Sequence, residues 1–182
     1  MMNKIFSICI SIIFVCMIFG CSSDQKEANS KLQAKEQAQP QANQTNIKME
    51  TMYFEAPDVD GIAHSSTEWI GKGPVVVNFW GTWCPPCRKE IPDLARLYGE
   101  YKDKGVEIIG ISLNDSAEKV KAYSSQNNMN WVLLVGDRAI AVKYNIQSVP
   151  TTYFFNSEGK LVQEFQGMRD YESFKKAFEL IL

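Results

Sequence analysis

The residues able to do chemistry are concentrated in one short stretch, Trp83-Cys84-Pro85-Pro86-Cys87. Two thiols separated by two residues can close a small disulfide when the first sits at the mouth of a helix. A thiolate is both the nucleophile and the leaving group of disulfide exchange. A Cys-x-x-Cys pair between a strand and a helix is therefore read as redox-active. The competing readings are half a metal site and a structural disulfide. A zinc site takes four ligands, whereas the chain beyond Cys21 offers Cys84, Cys87 and the single His64. No metal site is expected.

The elements that must position the pair are legible on both sides. Val75 to Trp80 is apolar and β-branched and follows Gly73-Pro74, the pattern of a buried strand. After the pair, Ile91, Leu94, Ala95, Tyr98 and Tyr101 recur at helical spacing, which predicts an amphipathic helix over 85–102. Pro92 falls inside it, where a kink is expected. The free amides and positive dipole end of that helix favour a thiolate at Cys84.

Further elements follow in alternation. Met52 to Phe54 is a short strand candidate, and Asp60-Gly61 marks a turn in an irregular hairpin over 59–63. Val106 to Leu113 is a second apolar strand. Asp115 with Glu118 resembles a capping box opening a helix to about Gln126. Trp131 to Val135 is a third strand, and Asp137 precedes a helix over 138–144. Thr152 to Phe155 and Lys160 to Gln166 pair as an antiparallel hairpin around a turn at 156–159. A last helix, opened by Asp170, carries Tyr171, Phe174, Ala177, Phe178 and Ile181 on one face. This alternation predicts an α/β domain over 50–182, with a central mixed sheet covered by helices on both faces.

The 182 residues allow one such domain plus attachments, and a net charge of −2 gives no reason to expect nucleic acid. Three of the five cysteines, Cys9, Cys16 and Cys21, lie at the N-terminus. Lys4 followed by the apolar run 5–19 fits a signal-peptide core, being short for a membrane span. Ile18-Phe19-Gly20-Cys21 resembles the lipobox of bacterial lipoproteins, in which the Cys is lipidated. Phe19 departs from the smaller residue usual there, so an uncleaved anchor is the alternative. Either reading of 1–21 places the rest outside the cytoplasm, on the bacterial cell membrane. Residues 22–49 are rich in Ser, Gln, Asn, Lys and Ala and read as a polar tether, with a random-coil reach of about 30 Å.

Cys-x-x-Cys after a buried strand, with Val149-Pro150-Thr151 before a later one, resembles the thioredoxin superfamily. The phrase Val77-Asn78-Phe79-Trp80-Gly81-Thr82-Trp83-Cys84-Pro85-Pro86-Cys87-Arg88-Lys89-Glu90 is similar to its membrane-tethered TlpA and ResA branch. The resemblance implies a thioredoxin-like fold with an N-terminal β extension and an inserted helix–strand segment. It implies an extracytoplasmic thiol–disulfide oxidoreductase working mainly as a reductase. It also implies protein disulfide substrates, with apocytochrome c as a candidate, and a membrane electron donor of the CcdA or DsbD kind. No cofactor beyond the Cys84–Cys87 disulfide is called for.

By the same resemblance, Cys84 is the exposed nucleophile and Cys87 the buried resolving thiol, an assignment their order along the helix favours independently. Pro150 matches the family's cis-proline, with Val149 offering backbone groups to an extended substrate. Glu90 lies one turn after Cys87 and matches a functional Glu of ResA-like proteins. Its carboxyl, with a raised pKa, would accept the Cys87 proton. Its alternative is a solvated helix charge. Asn78 replaces a buried Asp of minimal thioredoxins. Trp83 and Pro85 are expected to border the substrate, and Trp80 to be core. Pro85 departs from the Gly of thioredoxin and the Glu of ResA, and removes an amide that would stabilise the Cys84 thiolate.

Rival functions are an oxidant of thiols, a peroxidase, a copper carrier and an inert disulfide. The haem motif Cys-x-x-Cys-His is absent because Arg88 follows Cys87. His64 lies upstream of the pair and is expected to be a surface or hydrogen-bonding residue.

Overall fold

The computed structural model of the chain describes residues 53–182. The expectations placed on 1–52, including lipidation of Cys21 and the polar tether, lie outside the described residues. Five strands form the central sheet: β3 (Val75–Trp80), β4 (Glu107–Leu113), β5 (Val132–Gly136), β6 (Thr151–Phe155) and β7 (Leu161–Gln166), in the order β5-β4-β3-β6-β7. β3, β4 and β5 run parallel, whereas β6 is antiparallel to β3 and β7 to β6. The sheet is mixed, as expected, and the thioredoxin-like layout holds. Helix α2 (Ala117–Gln126) with β5 forms the inserted segment and supplies an edge strand.

Alternation along β3 sorts the core into two layers. Val76 and Trp80 face α1 (Pro85–Tyr101) and α4 (Tyr171–Ile181), meeting Ile91, Leu94, Leu97, Phe154, Phe174 and Phe178. Val75, Val77 and Phe79 face the other way, toward Ile109, Ile111, Leu134 and the short α3 (Arg138–Lys143). Asn78 belongs to the first face by period. It is therefore buried beneath α1. Apolar burial on both faces rigidly fixes where β3 ends, and hence where the thiols begin.

Two local expectations are corrected. Among the described residues the first strand is Glu55–Pro57 (β1); Tyr53 and Phe54 stand outside it, and Phe54 instead enters the second core layer and exchanges hydrogen bonds with Ser66. β1 pairs with β2 (Ala63–Ser65) around the expected turn, and a bridge from Asp58 to Leu134 joins this hairpin to β5. The second concerns α2, which is capped by Ser116, whose hydroxyl accepts from Lys119 N. Asp115 is used elsewhere. Among the described residues no helix is long and apolar enough to cross a membrane.

Candidate active site

β3 ends at Trp80, and Gly81 to Trp83 carry the chain to α1. Cys84 is the N-cap of α1, and its sulfur accepts from Cys87 N at 3.2 Å. Cys84 and Cys87 form a disulfide with Cα atoms 5.3 Å apart. Pro85 and Pro86 fill the first two helical positions, where a missing amide costs no helical hydrogen bond. Both are exposed, and so is Trp83.

Cys87 is fully buried, as expected. Cys84 is not the exposed thiol anticipated: it is only 2% accessible. Its sulfur is turned inward by the bond to Cys87 and lies 3.6 Å from the Val149 carbonyl oxygen. The Val149-Pro150 bond is cis, and this loop brings β6 alongside the pair. Val149 is half-buried and Pro150 buried.

The loop before Cys84 is held by Asp115, which serves here rather than at the start of α2. One oxygen of Asp115 accepts from Thr82 N and Ser112 Oγ, each at 2.7 Å, and the other accepts from Thr82 Oγ1 at 2.7 Å. Trp83 Nε1 donates to Leu113 O at 2.9 Å, fixing the next residue to the same strand end. Asp115→Ala would strand three donors at a half-buried place. It is expected to cost about 2–3 kcal/mol and to lower Tm by roughly 5–10 °C, readable by thermal unfolding of the full chain.

Beneath the disulfide, Glu90 is 1% exposed, so it is not a solvated helix charge. Its Oε1 accepts from Asn78 Nδ2 at 3.1 Å; the same amide donates to Thr152 Oγ1 at 2.9 Å. Oε2 is buried without a hydrogen-bond partner. Burial pushes this carboxyl up to about 7. The Asn78 bond, the Arg169 backbone amide and the Arg169 charge pull it down, and Asp93 pushes it up. A carboxyl poised near neutrality can exchange a proton with a nearby thiol.

Asn78, Thr152 and Asp115 thus join Cys84, Cys87, Glu90, Trp83, Pro85, Val149 and Pro150 around one strand end. His64 stays apart on β2, with its ring nitrogens on Glu68 at 2.9 Å and Asp58 at 3.3 Å. The hydrogen bond to Glu68 holds its pKa above the usual imidazole value, against the lowering effect of burial, and Asp58 adds to the rise. Thr152 was recoverable from the sequence only through register, since it pairs directly with Asn78. Arg169, beside Glu90, carries no local signal.

Residues 47–164 match the model of the AhpC/TSA family. The chain belongs to that family. Its sequence is 35% identical over 130 residues to the thiol-disulfide oxidoreductase ResA of Halalkalibacterium halodurans, covering 70% of this chain and 73% of that one. It is 33% identical over 136 residues to ResA of Bacillus thuringiensis subsp. konkukian, covering 74% and 78%. Among solved structures, a thiol:disulfide interchange protein of the thioredoxin family from Chlorobium tepidum superposes with a TM-score of 0.63 at 27% identity, over 71% of this chain and 92% of that one. This AhpC/TSA chain is accordingly a thioredoxin-fold thiol–disulfide oxidoreductase of the ResA type.

Proposed function

We propose that this enzyme is a membrane-anchored, extracytoplasmic reductase of protein disulfides. Cys84 attacks a client disulfide and forms a mixed disulfide. Cys87 then resolves it, passing its proton to Glu90. Trp83, Pro85, Val149 and Pro150 border the client. The clients are oxidised exported proteins, with apocytochrome c in cytochrome c maturation the leading candidate. A membrane thiol carrier of the CcdA or DsbD kind would return electrons, and Cys21 would carry the lipid anchor.

The observation that carries the reductase direction is the opening of α1. Pro85 and Pro86 have no N–H, so the Cys87 amide is the helix-terminal donor left to the Cys84 sulfur. Amides at a helix start stabilise a thiolate, and a stabilised thiolate makes the reduced form favourable and the pair oxidising. Removing two amides acts in the opposite direction and favours giving electrons away.

Equilibrating the full chain with thiol buffers of known potential tests this. The expected reduction potential is near or below the roughly −270 mV of thioredoxin. A value near the roughly −120 mV of DsbA would overturn the direction and make the enzyme an oxidant of exported thiols.

A further inference from the structure

Asn78 and Thr152 stand directly opposite each other on β3 and β6. Opposed residues on neighbouring strands share a face of the sheet. Both side chains are buried on the face that α1 covers, so their polar atoms need partners within the fold. The Asn78 amide nitrogen carries two N–H donors. One donates to Glu90 Oε1 at 3.1 Å and the other to Thr152 Oγ1 at 2.9 Å. The nitrogen must face Glu90, because an ionised carboxyl only accepts. Thr152 thus braces Asn78, and Asn78 holds one oxygen of Glu90.

The other oxygen, Oε2, is buried with no hydrogen-bond partner. That asymmetry decides where a proton can sit. Oε1 accepts from Asn78 as half of a carboxylate, and equally as the carbonyl oxygen of an acid protonated on Oε2. A proton on Oε1 would make that oxygen a hydroxyl, a poorer acceptor, and leave a buried carbonyl with nothing to accept. The Asn78 bond therefore survives both gain and loss of the proton only when Oε2 carries it. Nothing on the two strands competes for that proton, since Asn78 and Thr152 are neutral. On its own helix Glu90 meets Cys87 and the opposing charge of Asp93, while Arg88 and Lys89 are exposed. Between β7 and α4, the backbone amide of Arg169 and then its charge favour ionisation, without a hydrogen bond to Oε2.

We propose that Asn78, braced by Thr152, is a positioning residue for the resolving step: it holds Glu90 Oε1 in both protonation states and so assigns the Cys87 proton to Oε2. This deepens, and rests on, the reading of Glu90 given above. In that step the Cys87 thiol gives its proton to Oε2 and its sulfur attacks Cys84 Sγ of the mixed disulfide. The Cys84–Cys87 bond forms, the bond to the client breaks, and the client sulfur leaves as a thiolate. Without the Asn78 donor the carboxylate loses the hydrogen bond on Oε1, which reserves the proton-accepting form for higher pH.

The test uses the reduced full chain and a chromogenic aromatic disulfide. One coloured thiolate leaves when Cys84 is captured and a second when Cys87 resolves, so the second phase isolates the step. Asn78→Leu should move the pH midpoint of that phase upward by about one unit and slow it about tenfold below the midpoint. Thr152→Val should move the midpoint the same way by about half a unit. Thr152→Ser, which keeps the hydroxyl, should restore it. Infrared difference spectra between protonated and ionised Glu90, assigned by their loss in Glu90→Gln, read the oxygen itself. Asn78→Leu should raise the C=O stretch of the acid, because Oε1 is then the carbonyl. An unmoved band makes Oε2 the carbonyl and overturns the assignment. A slowing that is equal at every pH marks a merely structural role and overturns the proposal. So does an unmoved midpoint when Glu90→Gln alone removes the pH limb. Where Asn78→Leu does not fold, Thr152→Val against Thr152→Ser decides: a shift in the first that the second restores supports the proposal, and equal midpoints overturn it. If Glu90→Gln leaves the limb in place, the reading of Glu90 itself fails and takes this one with it.

Discussion

Cys84→Ser leaves no measurable turnover of a protein disulfide, a loss on the order of a thousandfold or more. The reason is chemical. A serine hydroxyl neither ionises near neutral pH nor forms a covalent bond to sulfur in exchange, so no mixed disulfide arises. Cys87→Ser loses turnover as completely but differs in what accumulates. Its Cys84 still attacks and the client then stays attached. Mass spectrometry of each variant after incubation with a cystine-containing peptide separates them. Cys84→Ser should carry no adduct and Cys87→Ser one peptide per chain. Turnover surviving in Cys84→Ser would sink the assignment of the nucleophile. The low exposure of Cys84 sharpens the point. In the oxidised pair its sulfur is directed at Cys87 and the Val149 carbonyl.

The sequence made the scaffold of this site readable because its causes are local. The six residues 75–80, five of them apolar, became the buried strand, and the helix began at the Cys-x-x-Cys pair. Asp170 and Asp137 capped their helices as their positions implied, each accepting an amide hydrogen bond three residues on. Pro150 was recognisable as a cis-proline through the family phrase around it. The misread parts depended on distant partners. Asp115 had a plausible local use as a cap, but the distant Thr82 binds it twice, with the nearby Ser112 adding a third bond, and the cap is left to Ser116. Cys84 looked approachable because a helix start is open in isolation; the cis-proline loop closes that side. Arg169 gave no signal because its relation to Glu90 exists only once β7 has been laid against β6. Glu90 lay between these cases. Its spacing from Cys87 showed a shared face, while its burial is set by Asn78 on the strand below.

Glu90→Gln is expected to slow resolution on the order of a hundredfold at neutral pH and also to stabilise the fold in alkaline solution. Both effects follow from the same carboxyl. Its pKa rises from 4.5 to about 7 because burial disfavours the charge. In the unfolded chain the group ionises near its ordinary value, so between pH 4.5 and 7 the folded protein holds the extra proton. Stability supplied by that proton is complete below the unfolded pKa. It is lost as the pH climbs through the folded one. The loss amounts to about 3 kcal/mol. Glutamine has nearly the same shape and never ionises, so it escapes this loss. Urea unfolding at a series of pH values should find the two proteins similar near pH 4. By about pH 8 the variant should be the more stable, by up to about 3 kcal/mol. Parallel curves across that range would mean that Glu90 does not titrate in the folded state near neutrality. It would then be no proton acceptor for Cys87. A variant that gains stability and loses the resolving step shows a buried acid retained at a cost to the fold, as a site selected for chemistry rather than stability requires.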